Sequence, residues 1–235
     1  MKLLTGRRDA PTLGQVVSAG ALVNVLTIAI LLISATFSAA SEKPIRILAF
    51  GDSLTSGYGV RPKDAFPVQL QKELKGRGHD ITVTNGGVAG DTTAAGLARF
   101  DWTVGNDVDA VILELGANDA LRGIEPKVTR DNLQKILAKL HERKLPVLLV
   151  GMRSPANWGD TYADDFDAIF PALAKEHGLI FYPFFLEGVV LDSKLNQQDG
   201  MHPNAKGVAE IVRQIMPSVD ELIGKVQAQR AAAKS

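Results

Sequence analysis

Residues Ile45–Gly59 read IRILAFGDSLTSGYG. The run from Ile45 to Phe50 is apolar apart from Arg46 and closes on Gly51-Asp52-Ser53-Leu54, followed by small residues. A short apolar run bounded by turn residues is the pattern of a parallel strand buried on both faces. Gly51 and Gly57 allow the backbone to bend sharply and to approach a ligand closely. Ser53 therefore falls just past the carboxyl end of the first strand, where open α/β sheets hold their ligands. Two readings of Ser53 follow, a nucleophilic hydroxyl or a residue that only caps the next helix.

Working outward, the same alternation recurs along the chain. Asp64 and Pro67 suit the start of a helix carrying Val68, Leu70 and Leu74. Ile81 to Thr84 predicts a second strand ending at Asn85-Gly86-Gly87, and a loop over Val88–Thr93 leads to a helix with Leu97 and Phe100. Ala110 to Leu115 predicts the third strand, closed by Gly116-Ala117-Asn118-Asp119. Leu133, Ile136, Leu137 and Leu140 mark one face of the next helix. Pro146 to Val150 is the fourth strand. Phe166, Ile169, Phe170 and Leu173 predict a helix stopped by Gly178, and Leu179 to Tyr182 is the fifth strand. Val208, Ile211, Val212 and Ile215 predict the closing helix, with a polar, fraying tail from Gly224 to Ser235. Strands alternating with helices imply one α/β domain, a three-layer α/β/α sandwich on a five-stranded parallel sheet.

In a chain of 235 residues, 46% apolar content suffices for a sizeable core. Charges balance at 26 basic and 26 acidic residues with no basic cluster, which argues against nucleic acid as a partner. The absence of cysteine excludes disulfides, thiolate catalysis and sulfur-ligated metals. Residues 1–41 read as a targeting segment: Lys2, Arg7 and Arg8 precede an uncharged stretch from Pro11 to Ala40, which is strongly apolar over Leu22–Ile33 and ends in the small residues Ser38-Ala39-Ala40. A cleaved signal peptide and an uncleaved membrane anchor both fit this stretch. Either places residues 42–223, the folded domain, outside the cytoplasm, with 224–235 as its tail.

Three loops now share one edge of the predicted sheet. Ser53 follows strand one, Gly90 strand two and Asn118 strand three. A serine hydroxyl needs a general base within hydrogen-bond reach. Of four histidines, His79 lies in a polar connection, His141 late on a helix, and His177 where an imidazole favours a helix C-terminus. His202 differs, because Asp199-Gly200-Met201-His202-Pro203 puts a carboxylate three residues upstream. A tight turn would bring Asp199 against one ring nitrogen and leave the other for Ser53. The bland alternative is an Asp that caps the last helix beside a solvated His. Acyl transfer also requires donors aimed at a developing oxyanion. Ser53 N–H, Gly90 N–H and the Asn118 amide are candidates, although Gly90 and Asn118 also suit plain turn geometry.

These four blocks, Gly51-Asp52-Ser53-Leu54, Gly90 in GVAGDTT, Asn118 in GAND, and Asp199-Gly200-Met201-His202-Pro203, resemble the SGNH (GDSL) hydrolases, in the family's order and from about Ile45 to Pro217. GANDALRGIEP, SPANWGDTYADDF and FYPFFLEGVVLDSKLNQQDGMHPN are similar to the family's exported bacterial members that hydrolyse aryl esters, acyl-CoA thioesters and lysophospholipids. The resemblance implies a flavodoxin-like sheet, Ser53 as nucleophile, His202 as base, Asp199 as its orienter, and Ser53, Gly90 and Asn118 as the oxyanion hole. It implies no metal and no cofactor. Ser53 lacks the G-x-S-x-G elbow of α/β-hydrolases.

For the substrate, Leu121, Trp158 and Phe184-Phe185-Leu186 are candidates to line an apolar acyl groove or to pack in the core, and Arg153 to meet an anionic group or a surface carboxylate. The expected activity is hydrolysis of small acyl esters and thioesters through an acyl-enzyme. Rival readings are a carbohydrate O-deacetylase of the same fold, a non-catalytic lipid-binding envelope protein, and a metal hydrolase built on Asp52, Asp91, Asp119, Asp199 and His202.

Overall fold

The computed structural model describes residues 43–235. The targeting segment read in residues 1–41 lies outside them. Strand β1 (Ile45–Gly51) is buried at every position except Arg46, as its apolar run requires. It is flanked by β2 (Ile81–Gly87) and β3 (Ala110–Glu114), and β4 (Val147–Val150) and β5 (Ile180–Tyr182) follow outward. All four pairings are parallel, in the order β2-β1-β3-β4-β5. β3 and β4 are wholly buried, which is why their sequences, Glu114 apart, are continuous apolar runs rather than alternating ones.

The chain moves from β1 to β2 on one side and then back across to β3 on the other. The strand order thus reverses between β1 and β3, and open α/β sheets hold their ligands beyond the carboxyl ends of strands at such a point. The short helix α1 (Ser53–Ser56) leaves β1 there. Helix α2 (Phe66–Gly76) connects β1 to β2, and α3 (Thr93–Ala98) and α4 (Phe100–Thr103) connect β2 to β3. After β3 come α5 (Ala117–Leu121) and α6 (Pro126–Glu142), and after β4 come α7 (Asp160–Asp167) and α8 (Ile169–His177). Helix α9 (Ala205–Ala232) closes the fold. α2 packs beside α9, while α6 packs beside α3, α7 and α8, giving a helical layer on either face. The three-layer, five-stranded parallel architecture read from the sequence is the one observed.

Local details differ from the sequence reading in four places. Asp64 ends a 3₁₀ turn over Pro62–Asp64 and pairs with Arg61 at 2.6 Å; the cap position of α2 is Ala65. Val68 is exposed, because Phe66, Pro67, Leu70 and Leu74 already make the buried stripe. The predicted helix through Phe166 and Leu173 is two helices divided at Ala168, although all four marker residues are buried. The fraying tail is instead helical to Ala232. Val219, Leu222, Ile223 and Val226 are buried, and Arg230 donates to Asp109 Oδ2 at 2.9 Å. That packing outweighs the low helix propensity of Pro217 and Gly224. Among the described residues no helix is long and apolar enough to cross a membrane.

Candidate active site

The turn after β1 begins with a close approach that only glycine permits. A Cβ on Gly51 would lie 2.4 Å from Glu114 Oε2 and 2.6 Å from the Glu114 carbonyl. Asp52 caps α1: its Oδ1 accepts from the Leu54 N–H at 2.9 Å. Asp52, not Ser53, thus satisfies the helix end, and the Ser53 side chain has no capping duty. The Ser53 hydroxyl meets His202 instead, with Oγ 3.0 Å from Nε2.

On its other side, His202 Nδ1 lies 2.7 Å from Asp199 Oδ2. The spacing of three residues achieves this because Asp199 Oδ1 accepts from the backbone N–H groups of Met201 at 2.9 Å and His202 at 3.0 Å. One carboxylate oxygen folds the turn and the other receives the imidazole. Donation from His202 N–H first, and Met201 N–H second, holds the Asp199 carboxyl at about 2, below its ordinary 3.8. An ionised carboxylate at Nδ1 favours the proton there and leaves the Nε2 lone pair facing Ser53. The other three histidines lie at the opposite edge of the sheet, His141 and His177 in the last turns of helices that lead into strands and His79 in the connection between Gly76 and β2.

The oxyanion candidates are gathered at the same edge. Gly90 adopts φ +86°, which disfavours a side chain, and its carbonyl accepts from Arg122 Nη2 at 2.9 Å. The N–H groups of Ser53 and Gly90 have no hydrogen-bond acceptor among the described residues. Asn118 sits on α5 with its amide donating to Asp52 Oδ2 at 3.0 Å and to the Asp91 carbonyl at 2.9 Å. Its two N–H bonds tie the turn after β1 to the loop after β2.

Beneath the turn lie two buried carboxyls. Glu114 Oε2 accepts from Thr55 Oγ1 at 2.7 Å and from Asp52 N–H at 3.2 Å, while Oε1 has no partner among the described residues. Burial raises Asp52 to about 6, against the opposing pull of its bonds from Leu54 and Asn118. Burial, and then the neighbouring Asp52, pushes Glu114 well above the usual range for a carboxyl. Sequence reading passed over Glu114, although one acidic residue inside the apolar run AVILEL is the signal that marks it. It also passed over Tyr58, whose ring lies tilted at 45° to that of His202 with centroids 4.8 Å apart, and Gln197, which donates to the carbonyls of Tyr58 and Pro203.

The apolar candidates divide. Leu121 and Trp158 are 50% and 45% exposed, and Trp158 is pinned to the end of α5 by its indole N–H, 2.8 Å from the Ala120 carbonyl. Phe185 is fully buried, edge-on to Phe66, and Phe184 is buried beneath the Arg153 guanidinium. Phe185 belongs to the core, while Phe184 faces a surface cavity with Tyr182, Glu187 and Arg213. Arg153 faces Glu187 at 3.8 Å. Of the acidic residues, Asp91 pairs with Arg99 and Asp119 is taken up by Thr93 and Thr129. No group of three or more His, Cys, Asp or Glu among the described residues is arranged to hold a metal ion.

Known proteins resemble this chain over most of its described domain. The family model described as GDSL-like lipase/acylhydrolase matches residues 49–209. The chain is 39% identical to an arylesterase of Vibrio mimicus over 181 residues, covering 75% of this chain and 90% of that protein. It is 38% identical over 174 residues to the thioesterase 1/protease 1/lysophospholipase L1 of Escherichia coli strain K12, covering 74% and 81% respectively. The crystal structure of TesA superimposes with a TM-score of 0.72 at 33% identity, covering 75% of this chain and 99% of that one. With a family model matching residues 49–209 and relatives 38–39% identical over 81–90% of their length, this chain belongs to the GDSL-like lipase/acylhydrolase family.

Proposed function

We propose that the protein is a serine esterase and thioesterase acting on acyl esters such as aryl esters, acyl-CoA and lysophospholipids. The observation that carries the reading is the continuous chain of contacts from Ser53 Oγ through His202 to Asp199. Ser53 attacks the acyl carbonyl while His202 Nε2 takes its proton, and Asp199 holds the imidazole and stabilises the imidazolium that forms. The tetrahedral oxyanion is received by Ser53 N–H and Gly90 N–H. Asn118 completes the hole by exchanging its bond to the neutral Asp91 carbonyl for one to the charged oxyanion, the stronger acceptor. Collapse expels the alcohol or thiol, protonated by His202, and leaves an acyl-enzyme. Water, deprotonated by the same imidazole, then releases the acid.

The exposed Leu121 and Trp158 beside Asn118 favour an acyl chain over a sugar on the acid side. The basic and then apolar N-terminus supports export to the periplasm or beyond, by a cleaved signal or a retained anchor. The test compares Ser53→Ala with the parent on a thioester, an aryl ester and a lysophospholipid. A loss of at least about 10³-fold on each substrate is expected. Near-parental turnover of any of them would move the nucleophile elsewhere, and a preference confined to acetyl esters would favour a deacetylase.

A further inference from the structure

Two of the donors assigned to the oxyanion belong to different loops, 37 residues apart in sequence by the numbers of Ser53 and Gly90. An oxyanion hole works only if its donors converge to within about 3 Å of one point. A side chain joining the two loops would therefore matter to the rate without touching substrate. Arg99 is that side chain. It sits at the junction of α3 and α4, and its side chain is 19% exposed. Nη2 donates to the Gly51 carbonyl at 2.9 Å, two residues before Ser53. Nε donates to Asp91 Oδ2 at 2.5 Å, one residue after Gly90.

The remaining contacts hold the fork in place. Nη1 donates to Thr103 Oγ1 at 3.2 Å, the Thr103 hydroxyl donates to the Arg99 carbonyl at 3.0 Å, and the guanidinium lies 4.4 Å over the Phe50 ring. The same Gly51 carbonyl also accepts from the Val88 N–H at 3.1 Å, so both loops meet at one oxygen. Asp91 is in turn held from the far side by Asn118 through its carbonyl.

Building on the acyl-transfer reading above, we propose that Arg99 is a positioning residue of the catalytic centre, setting the distance between the Ser53 turn and the Gly90 loop so that both N–H groups reach one oxyanion. A planar guanidinium suits this task because it presents separate N–H vectors to a carbonyl and a carboxylate at once. A lysine ammonium at the same place keeps the charge but presents a single point on a flexible stem.

The experiment measures Arg99→Lys, Arg99→Ala and Asp91→Asn with p-nitrophenyl butyrate, titrating active sites with a serine-directed phosphonate so that rates refer to folded enzyme. Arg99→Lys and Arg99→Ala are expected to lower kcat about 10- to 100-fold with KM within about threefold, as a displacement of about 1 Å at the reacting centre does. Affinity for an alkyl trifluoromethyl ketone, which binds as an oxyanion, is expected to fall in step with kcat/KM. Methylguanidinium is expected to restore part of the Arg99→Ala rate, and Asp91→Asn to shift both readouts in the same direction by less. If Arg99→Ala does not fold, Arg99→Lys and Asp91→Asn carry the comparison. Folded variants with per-site kcat within about threefold of the parent, or with ketone affinity unchanged, would overturn the inference. So would a loss confined to the number of active sites, which marks a merely structural arginine. Ser53→Ala in the same assay separates the two readings. If it stays active, the nucleophile assignment falls; if it is dead while the Arg99 variants are silent, only this inference falls.

Discussion

Replacing Asp199 by asparagine tests the proposed catalytic chain at its least exchangeable link. In the parent, Asp199 Oδ1 accepts two backbone N–H groups and Oδ2 faces His202 Nδ1. An asparagine has one oxygen. Left on the two backbone donors, it turns its NH₂ toward Nδ1, and the imidazole must then accept at Nδ1 and carry its proton at Nε2. That nitrogen, 3.0 Å from Ser53 Oγ, then presents an N–H where a lone pair is needed. Flipping the amide to restore the tautomer sets an NH₂ against two N–H donors, at about 1–3 kcal/mol for each bond lost. General-base catalysis supplies about 10²–10⁴-fold, and the carboxylate's support of the imidazolium is lost as well. Asp199→Asn is therefore expected to lower kcat about 10³- to 10⁴-fold, or about 4–5.5 kcal/mol of barrier. The assay is aryl-ester hydrolysis from pH 6 to 9, with a thermal melt to show that the turn survives. A folded Asp199→Asn enzyme within about tenfold of the parent kcat would refute the tautomer argument and the role drawn from it.

Other consequences follow from the buried carboxyls and from Gly90. Because burial raises Asp52 from 3.8 to about 6, its protonated form is favoured in the folded state. Its contribution is fully present below pH 3.8 and is lost as pH rises through about 6. At about 1.4 kcal/mol per pH unit the gap amounts to about 3 kcal/mol. Urea unfolding of the parent and Asp52→Asn should therefore show a stability difference that shifts against the parent between pH 4 and 6; a flat difference would contradict it. Glu114→Gln keeps an acceptor for Thr55 and Asp52 N–H and resembles the protonated acid that burial favours. Its kcat should stay within about threefold of the parent, whereas Glu114→Ala should cost about 2–4 kcal/mol of stability and slow the enzyme; a Gln variant as slow as the Ala variant would show that Glu114 acts as an anion. At Gly90 an added Cβ meets only Arg122 Nη2, at 3.9 Å, so Gly90→Ala has room but the wrong φ. It should lose about 1–2 kcal/mol in a melt and about 10- to 100-fold in kcat through the displaced N–H; an unchanged kcat would remove Gly90 from the oxyanion hole.

Much of this molecule was legible in its letters. Strands β1, β3, β4 and β5 are largely apolar runs closed by turn residues, the pattern that burial on both faces of a parallel sheet leaves, while the edge strand β2 alternates apolar with exposed residues. The turn at Asp199–His202 is equally local: three residues and one carboxylate make it, so its geometry could be anticipated without knowledge of the fold. Misreadings arose where partners were remote. Gly224 marked a break in isolation, yet Leu222, Ile223 and Val226 bury against the domain. Phe185 could line a groove or, as its apolar character favours, pack in the core, and only its edge-on contact with Phe66 decides for the core.

Sequence alone therefore determined the strand and helix runs, the edge of the sheet at which function would sit, and which serine and which histidine to watch. It could do so because burial period and turn chemistry are written over a few neighbouring residues. Only the tertiary structure decided that Ser53 and His202, 149 residues apart, stand 3.0 Å from each other. It also decided that Asp52 takes the helix cap from Ser53, that Glu114 lies under the turn, and that Arg99 joins two loops. Those contacts depend on the order in which strands assemble, and no local stretch of chain specifies what the neighbouring strand will bring beside it.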